Sequence, residues 1–179
     1  HKVGWVTLHA GIAGGADIIL LPEIPYDTDM VVDAINKRKA AGKRFTIIAV
    51  AEGAISKKDA KLSKKELREK KEKKKYPSVA YEVAERIQKR TDQEVRITVP
   101  GHMQRGGSPC PYDRVLSTRF GAAAAEAILD GDFGNMVGLK DGNIVRVPLA
   151  EVAGKLKYVD PESDIIEEAR MTGISFGDR

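Results

Sequence analysis

The chain has 179 residues, 42% of them hydrophobic, which is room for one ordinary domain around a buried core. Its formal net charge of +4 is a local feature: residues 57–75 hold eleven Lys or Arg against four Asp or Glu, a net of +7, leaving −3 for the rest. No apolar run reaches the roughly 18 residues of a membrane helix, and the start His1-Lys2-Val3-Gly4-Trp5 lacks the apolar segment of a secretory signal. One cysteine, Cys110, excludes an internal disulfide and suits a reducing, cytoplasmic setting, and neither it nor His1, His9 and His102 has the spacing of zinc ligands.

Taken in order, Trp5 to Ala13 carries Leu8 and Ile12 at helical spacing and ends at Gly14-Gly15. Asp17 to Leu21 is short and wholly apolar after its first residue, the pattern of a strand buried on both faces. Asp27 or Thr28 can cap a helix whose Met30, Val31, Ala34 and Ile35 share one face, closed at Ala41-Gly42. Phe45 to Ala51 reads as a second buried strand delivering Glu52-Gly53 at its end. The basic run follows, with good helix formers, Glu66 and Lys70 four apart, and almost no apolar stripe. That predicts a solvated helix or excursion. A nucleic-acid surface would interleave aromatics or lie on a recognisable module, and neither is present. Val79, Val83, Ala84 and Ile87 mark the next helix.

The stretch from Val95 to Arg119 organises the rest. Val95, Ile97, Thr98 and Val99 predict a strand, stopped at Pro100-Gly101. The loop beyond holds His102, Arg105 and Gly106-Gly107, with Arg96 just upstream and Arg114 just downstream. Glycines that take positive φ can turn backbone N–H groups toward an anion, and a guanidinium offers two parallel donors to a phosphate. Pro111 then opens an Ala-rich helix through Leu129. Asn135–Leu139 and Ile144–Val147 flank an Asp-Gly turn and predict a hairpin, with short helices near 149–153 and 164–169.

Helices alternating with strands predict an α/β fold, a mainly parallel sheet layered with helices, Rossmann-like with three layers. Residues 1–148 are expected to form one α/β domain bearing a charged insertion at 57–75, and 149–179 a helical extension. Strand ends deliver Glu23, Glu52 and the Arg96/His102/Arg105 group. Carboxylates that accept from sugar hydroxyls, beside cations that hold phosphate, point to a phosphorylated sugar or polyol.

Gly11 to Asp17, Leu21-Pro22-Glu23, Ala51-Glu52-Gly53 and above all Pro-Gly-His-Met-Gln-Arg-Gly-Gly-Ser-Pro with Tyr-Asp-Arg, between Pro100 and Arg114, resemble the carboxyl-terminal half of bacterial 6-phosphofructokinases, ATP- or pyrophosphate-dependent. The resemblance implies transfer of a phosphoryl group to the 1-hydroxyl of fructose 6-phosphate in glycolysis, with this segment forming the sugar-phosphate-binding half. It implies that Glu52 binds sugar hydroxyls, that His102 and Arg105 hold the 6-phosphate, and that Arg96 reaches the substrate of a neighbouring subunit in a homo-oligomer. An allosteric effector site would draw on Gly15, Asp17, Lys43 and Arg44, with Asp17 standing where regulated members have glutamate. The family's Gly-Gly-Asp motifs and its Thr-Ile-Asp segment, which supply the donor site, the Mg2+ site and the catalytic aspartate, are absent from these 179 residues. The chain is therefore expected to be the latter part of a longer enzyme, with no catalytic or metal residue of its own. The alternative reading is a non-catalytic sugar-phosphate-binding or regulatory module. No nucleic-acid or membrane partner is expected.

Overall fold

A computed structural model describes residues 3–72 and 76–179, so residues 73–75 of the basic run lie outside the described residues. The chain forms two units, His1–Val99 together with Lys157–Arg179, and Pro100–Leu156.

In the first unit the most buried element is β1 (Ile18–Leu20), whose residues are all fully buried. Alternation sends its side chains two ways. Ile19 and the following Leu21 join Leu8, Ala16, Ile24, Val159, Ile166, Ala169 and Phe176, while Ile18 and Leu20 join Tyr26, Val31, Ile35, Ala51, Val83 and Ile87. The first cluster is covered by α1 (Trp5–Ala13) and α8 (Asp164–Met171), the second by α2 (Thr28–Ala40) and α5 (Val79–Gln88). This is the expected helix–sheet–helix sandwich. Gly11 permits the close approach of α1, since a Cβ there would stand 2.7 Å from Ile19 Cδ1. The Asp27 carboxylate caps α2 by accepting from Asp29 N at 2.9 Å.

β2 (Ile48–Val50) pairs in parallel with β1, Ile18 opposite Ile48. The expected strand from Phe45 is shortened, because Phe45 and Ile47 are largely exposed and β2 is only half-buried. The other edge of β1 is met by the far end of the chain: Ile19 N donates to Ser175 O at 2.9 Å and Ser175 N to Asp17 O at 3.0 Å. The strand expected at 95–99 joins no ladder. Val95 packs on the second cluster, yet Val99 is 54% exposed, and a cavity of about 660 Å³ separates Val95 and Ile97 from Ile48 and Val50 of β2. Alternation guarantees one apolar face but not a partner edge.

Residues 157–179, expected as part of a helical extension, complete the first core. Arg170 makes two bonds to the Asp178 carboxylate, 2.9 and 2.8 Å, and stacks 4.8 Å from the centre of the Phe176 ring. Glu23 is likewise internal bracing rather than a ligand group. Its Oε1 accepts from Gly4 N at 2.9 Å and Val159 N at 3.1 Å, tying the start of α1, the end of β1 and the returning chain. Charge-assisted bonds of this kind are worth about 1.5–3 kcal/mol each, so Glu23→Ala, which removes two, should cost about 3–6 kcal/mol in chemical denaturation at unchanged m-value. A loss below half a kcal/mol would mean that water replaces the carboxylate.

Between β2 and α5 lie α3 (Lys57–Ala60), capped by Ser56 Oγ at 3.1 Å, and α4 (Lys64–Glu72). Ser63 and Glu66 form a reciprocal capping box on α4, with Ser63 N donating to Glu66 Oε2 at 2.8 Å and Glu66 N to Ser63 Oγ at 3.3 Å. The solvated helix expected in the basic run is thus α4.

The second unit begins with a 3₁₀ turn, Gly101–Arg105, followed by α6 (Pro111–Leu129) with Pro111 in its first turn. β3 (Asn135–Lys140) and β4 (Asn143–Pro148) form the expected hairpin. Its turn residues Asp141 and Gly142 both take positive φ, 50° and 79°, matching a type I′ turn. Arg119 Nη2 donates to Gly142 O at 2.7 Å, and Arg146 pairs with Asp130 and Asp132 at 2.9 and 3.2 Å. The short α7 (Leu149–Val152) closes the unit.

Candidate functional site

Glu52 occupies the turn immediately after β2 and is exposed. Arg96 is also exposed and lies in the same unit, where its Nε meets Glu94 Oε1 at 2.9 Å. Both members of that pair are mostly solvated, at 86% and 74%, so the contact holds Arg96 only weakly.

His102 and Arg105 belong to the second unit, on the Gly101–Arg105 turn. Residues three apart on a 3₁₀ turn eclipse one another, so the imidazole and guanidinium emerge along the same side. Both are exposed. Gly101 and Gly107 take positive φ, 54° and 92°, which an L side chain resists, and they bracket this turn. Gly106 differs from the expected paired-glycine arrangement: its φ is −87° and its N–H is already given to Met103 O at 3.1 Å. The Gly106 amide is therefore already committed within the turn. Arg114 is occupied otherwise, with Nε donating to Pro109 O at 3.3 Å across the loop that leads into α6.

Of the residues named for an effector, Gly15 ends α1 with φ 69°, and Lys43 and Arg44 are exposed in the turn before β2. Asp17 is committed to structure. Its Oδ2 accepts from Ile47 N at 2.8 Å and its Oδ1 meets Arg38 Nη2 at 2.9 Å, while the same Nη2 reaches Phe45 O at 3.3 Å. Arg38 and Asp17 thus clamp the 43–47 segment, a role that helical periodicity could not reveal because Arg38 falls among the polar positions of α2. Among the described residues no three His, Cys, Asp or Glu side chains form a group able to hold a metal ion. No helix of the described residues is long and apolar enough to cross a membrane.

The family model described as Phosphofructokinase matches residues 1–128. The chain belongs to the phosphofructokinase family. It is 53% identical over 178 residues to the ATP-dependent 6-phosphofructokinase of Spirochaeta thermophila, covering 99% of this chain and 49% of that protein. It is 43% identical over 177 residues to the pyrophosphate–fructose 6-phosphate 1-phosphotransferase of Streptomyces coelicolor, covering 99% and 50%. The chain therefore spans about half the length of the curated relatives it matches. Among solved structures, Pichia pastoris phosphofructokinase in the T-state matches at TM-score 0.62 and 35% identity, over 83% of this chain and 16% of that one. The pyrophosphate-dependent phosphofructokinase of Marinobacter aquaeolei shares the fold at TM-score 0.71 and 19% identity, over 98% and 46%.

Proposed function

We propose that this chain is the sugar-phosphate-binding half of a 6-phosphofructokinase that transfers a phosphoryl group from ATP to the 1-hydroxyl of fructose 6-phosphate, a glycolytic step carried out in the cytoplasm. The observation that carries the reading is the pairing of His102 and Arg105 on one side of a glycine-bracketed turn, in a chain that belongs to this family. Arg105 is assigned the 6-phosphate through two parallel charge-assisted bonds, His102 a further donor to it, and Glu52 acceptance from the sugar hydroxyls. Arg96 is assigned to the substrate of a neighbouring subunit, so that a homo-oligomer, a dimer or a tetramer of the enzyme, is needed to complete each site. Gly15, Lys43 and Arg44 are assigned to an allosteric anion, with Asp17 shaping the loop that carries two of them.

Catalysis is assigned to the remainder of the enzyme, where the donor, its magnesium and an aspartate that accepts the hydroxyl proton belong. Binding at this half orients the acceptor so that its 1-hydroxyl lies in line with the transferred phosphoryl group. ATP is favoured as donor because the ATP-dependent relative is 53% identical and the pyrophosphate-dependent one 43%. The test is a coupled assay of the intact enzyme with fructose 6-phosphate and each donor in turn. Turnover with pyrophosphate alone would reverse the donor assignment. Binding of the sugar phosphate without turnover of either donor would favour a regulatory module.

Glu52→Gln should raise the KM for fructose 6-phosphate by about tenfold, the loss expected for one charge-assisted bond, and disturb binding more than folding. A fall in melting temperature with unaltered kinetics would make Glu52 structural.

A further inference from the structure

The basic helix α4 is attached to its unit by charge rather than by burial. Of its described side chains only Leu67 is half-buried, and Leu67 belongs to neither hydrophobic cluster. A helix of nine residues is marginal in water by itself, even with a capping box. Among the described residues Lys70 supplies the attachment: its Nζ lies 2.7 Å from Asp59 Oδ2 and 3.5 Å from Glu82 Oε1. Asp59 and Lys70 have side chains 14% and 44% exposed, so the ammonium end of this contact is open to dissolved ions.

The receiving cluster has internal bonds that do not involve α4. Arg86, on α5, bonds to Asp59 at 3.2 Å and to Glu82, and its Nη1 donates to the Tyr26 hydroxyl at 3.3 Å. Burial pushes the Tyr26 hydroxyl up to about 12, so it stays a neutral partner. Burial alone would raise the Asp59 carboxyl, but bonds from Lys70, Ser56 and Arg86 outweigh it and hold it below the ordinary carboxylate value. If Lys70 leaves, Arg86 still bonds to both carboxylates, and the single negative charge left over is shared with Glu82, whose side chain is 31% exposed to solvent. The near anchor is independent as well. Lys57 N donates to Tyr26 O at 2.7 Å and Tyr26 N to Ile55 O at 3.0 Å, fixing the start of α3 and leaving 61–63 as the hinge.

We propose that α4 is a salt-sensitive strap, latched through Lys70 onto the Asp59–Glu82–Arg86 cluster, which swings out at 61–63 and uncovers that cluster when the charge on Lys70 is screened or removed. It rests on the contacts above and not on the assigned activity.

Hydrogen exchange of the whole chain tests it, with Lys70→Gln, Lys70→Arg and, as a control on an exposed lysine, Lys65→Gln. Losing the latch should speed exchange across 64–72 by about 5- to 30-fold, the factor that one or two kcal/mol represents. Lys70→Arg and Lys65→Gln should behave as wild type. Raising salt from about 0.05 to 1 M, over which the screening length falls to roughly 3 Å, should bring wild type toward Lys70→Gln and leave that variant unchanged. Equal exchange in Lys70→Gln and Lys65→Gln would overturn the proposal, and so would loss of protection at Val83 and Ile87 in step with 64–72, which would mean general loosening.

Discussion

Arg105→Ala, placed in the intact enzyme, should weaken binding of fructose 6-phosphate by about 10- to 100-fold. Arg105 can give a phosphate two parallel bonds from one rigid plane, and charge-assisted bonds are worth about 1.5–3 kcal/mol each, with tenfold in affinity for every 1.4 kcal/mol. The side chain is exposed and the structure gives it no ion-pair partner among the described residues, so its removal breaks no internal bond of the fold. Stability should therefore hold while affinity falls. The informative comparison is fructose 6-phosphate against unphosphorylated fructose: the variant should lose its preference for the former, and affinity for the phosphoryl donor should change by less than about twofold, within the usual spread of surface substitutions. Arg105→Lys separates a fork from a point charge, recovering only part of the loss. A variant that still prefers the phosphorylated sugar as strongly as wild type would refute the phosphate assignment.

Phe176→Ala should be the most damaging single truncation of the core. The ring is fully buried, shares its cluster with Leu8, Ile19, Ile166 and Val159, and receives the Arg170 guanidinium 4.8 Å from its centre. Removing a buried Phe costs about 3–5 kcal/mol in transfer and cavity terms, and for a domain of this size each kcal/mol lowers the melting temperature by about 2–4 °C. Calorimetry should thus register a fall of roughly 6–20 °C. Because Ser175 hydrogen-bonds to β1 next to this ring, exchange at Ile19 N should quicken as well. A drop under about 3 °C would show that the cluster collapses to fill the space.

Where local pattern and burial coincide, the sequence was a good guide. The run Ile18–Leu21 announced a strand covered on both faces, Asp27 announced the cap of α2, and Asp141-Gly142 announced a two-residue hairpin turn, each because the signal lies within a few residues of its effect. Val95–Val99 shows the opposite case. Its alternation was real, with Val95 and Ile97 half-buried and Arg96 and Thr98 exposed, but whether a partner edge comes within hydrogen-bonding distance is decided by distant residues. The same holds for Glu23 and Asp17, polar residues at the ends of an apolar strand, which read equally well as ligands or as braces. Their partners, Val159 and Arg38, are 136 and 21 positions away, so no spacing rule could choose. For the candidate site, the loop carrying His102 and Arg105 was legible because its Pro and Gly signals are local, whereas the 3₁₀ turn and the commitment of the Gly106 amide to Met103 are features of the folded backbone.

The two faces of β1 become covered at different moments of synthesis. The buried residues that pack on Ile18 and Leu20, from Tyr26 through Ile87, have left the ribosome soon after the first half of the chain. The face bearing Ile19 and Leu21 waits for Val159, Ile166 and Phe176, and the edge of β1 waits for Ser175. At about 5–20 residues per second, that interval lasts roughly 4–18 seconds. During it a half-finished sheet shows apolar side chains and one unpaired edge to whatever is nearby. Residues 159–176 are therefore a late cover on the nascent core, and dependence on chaperones is expected to be greatest in the interval before they emerge.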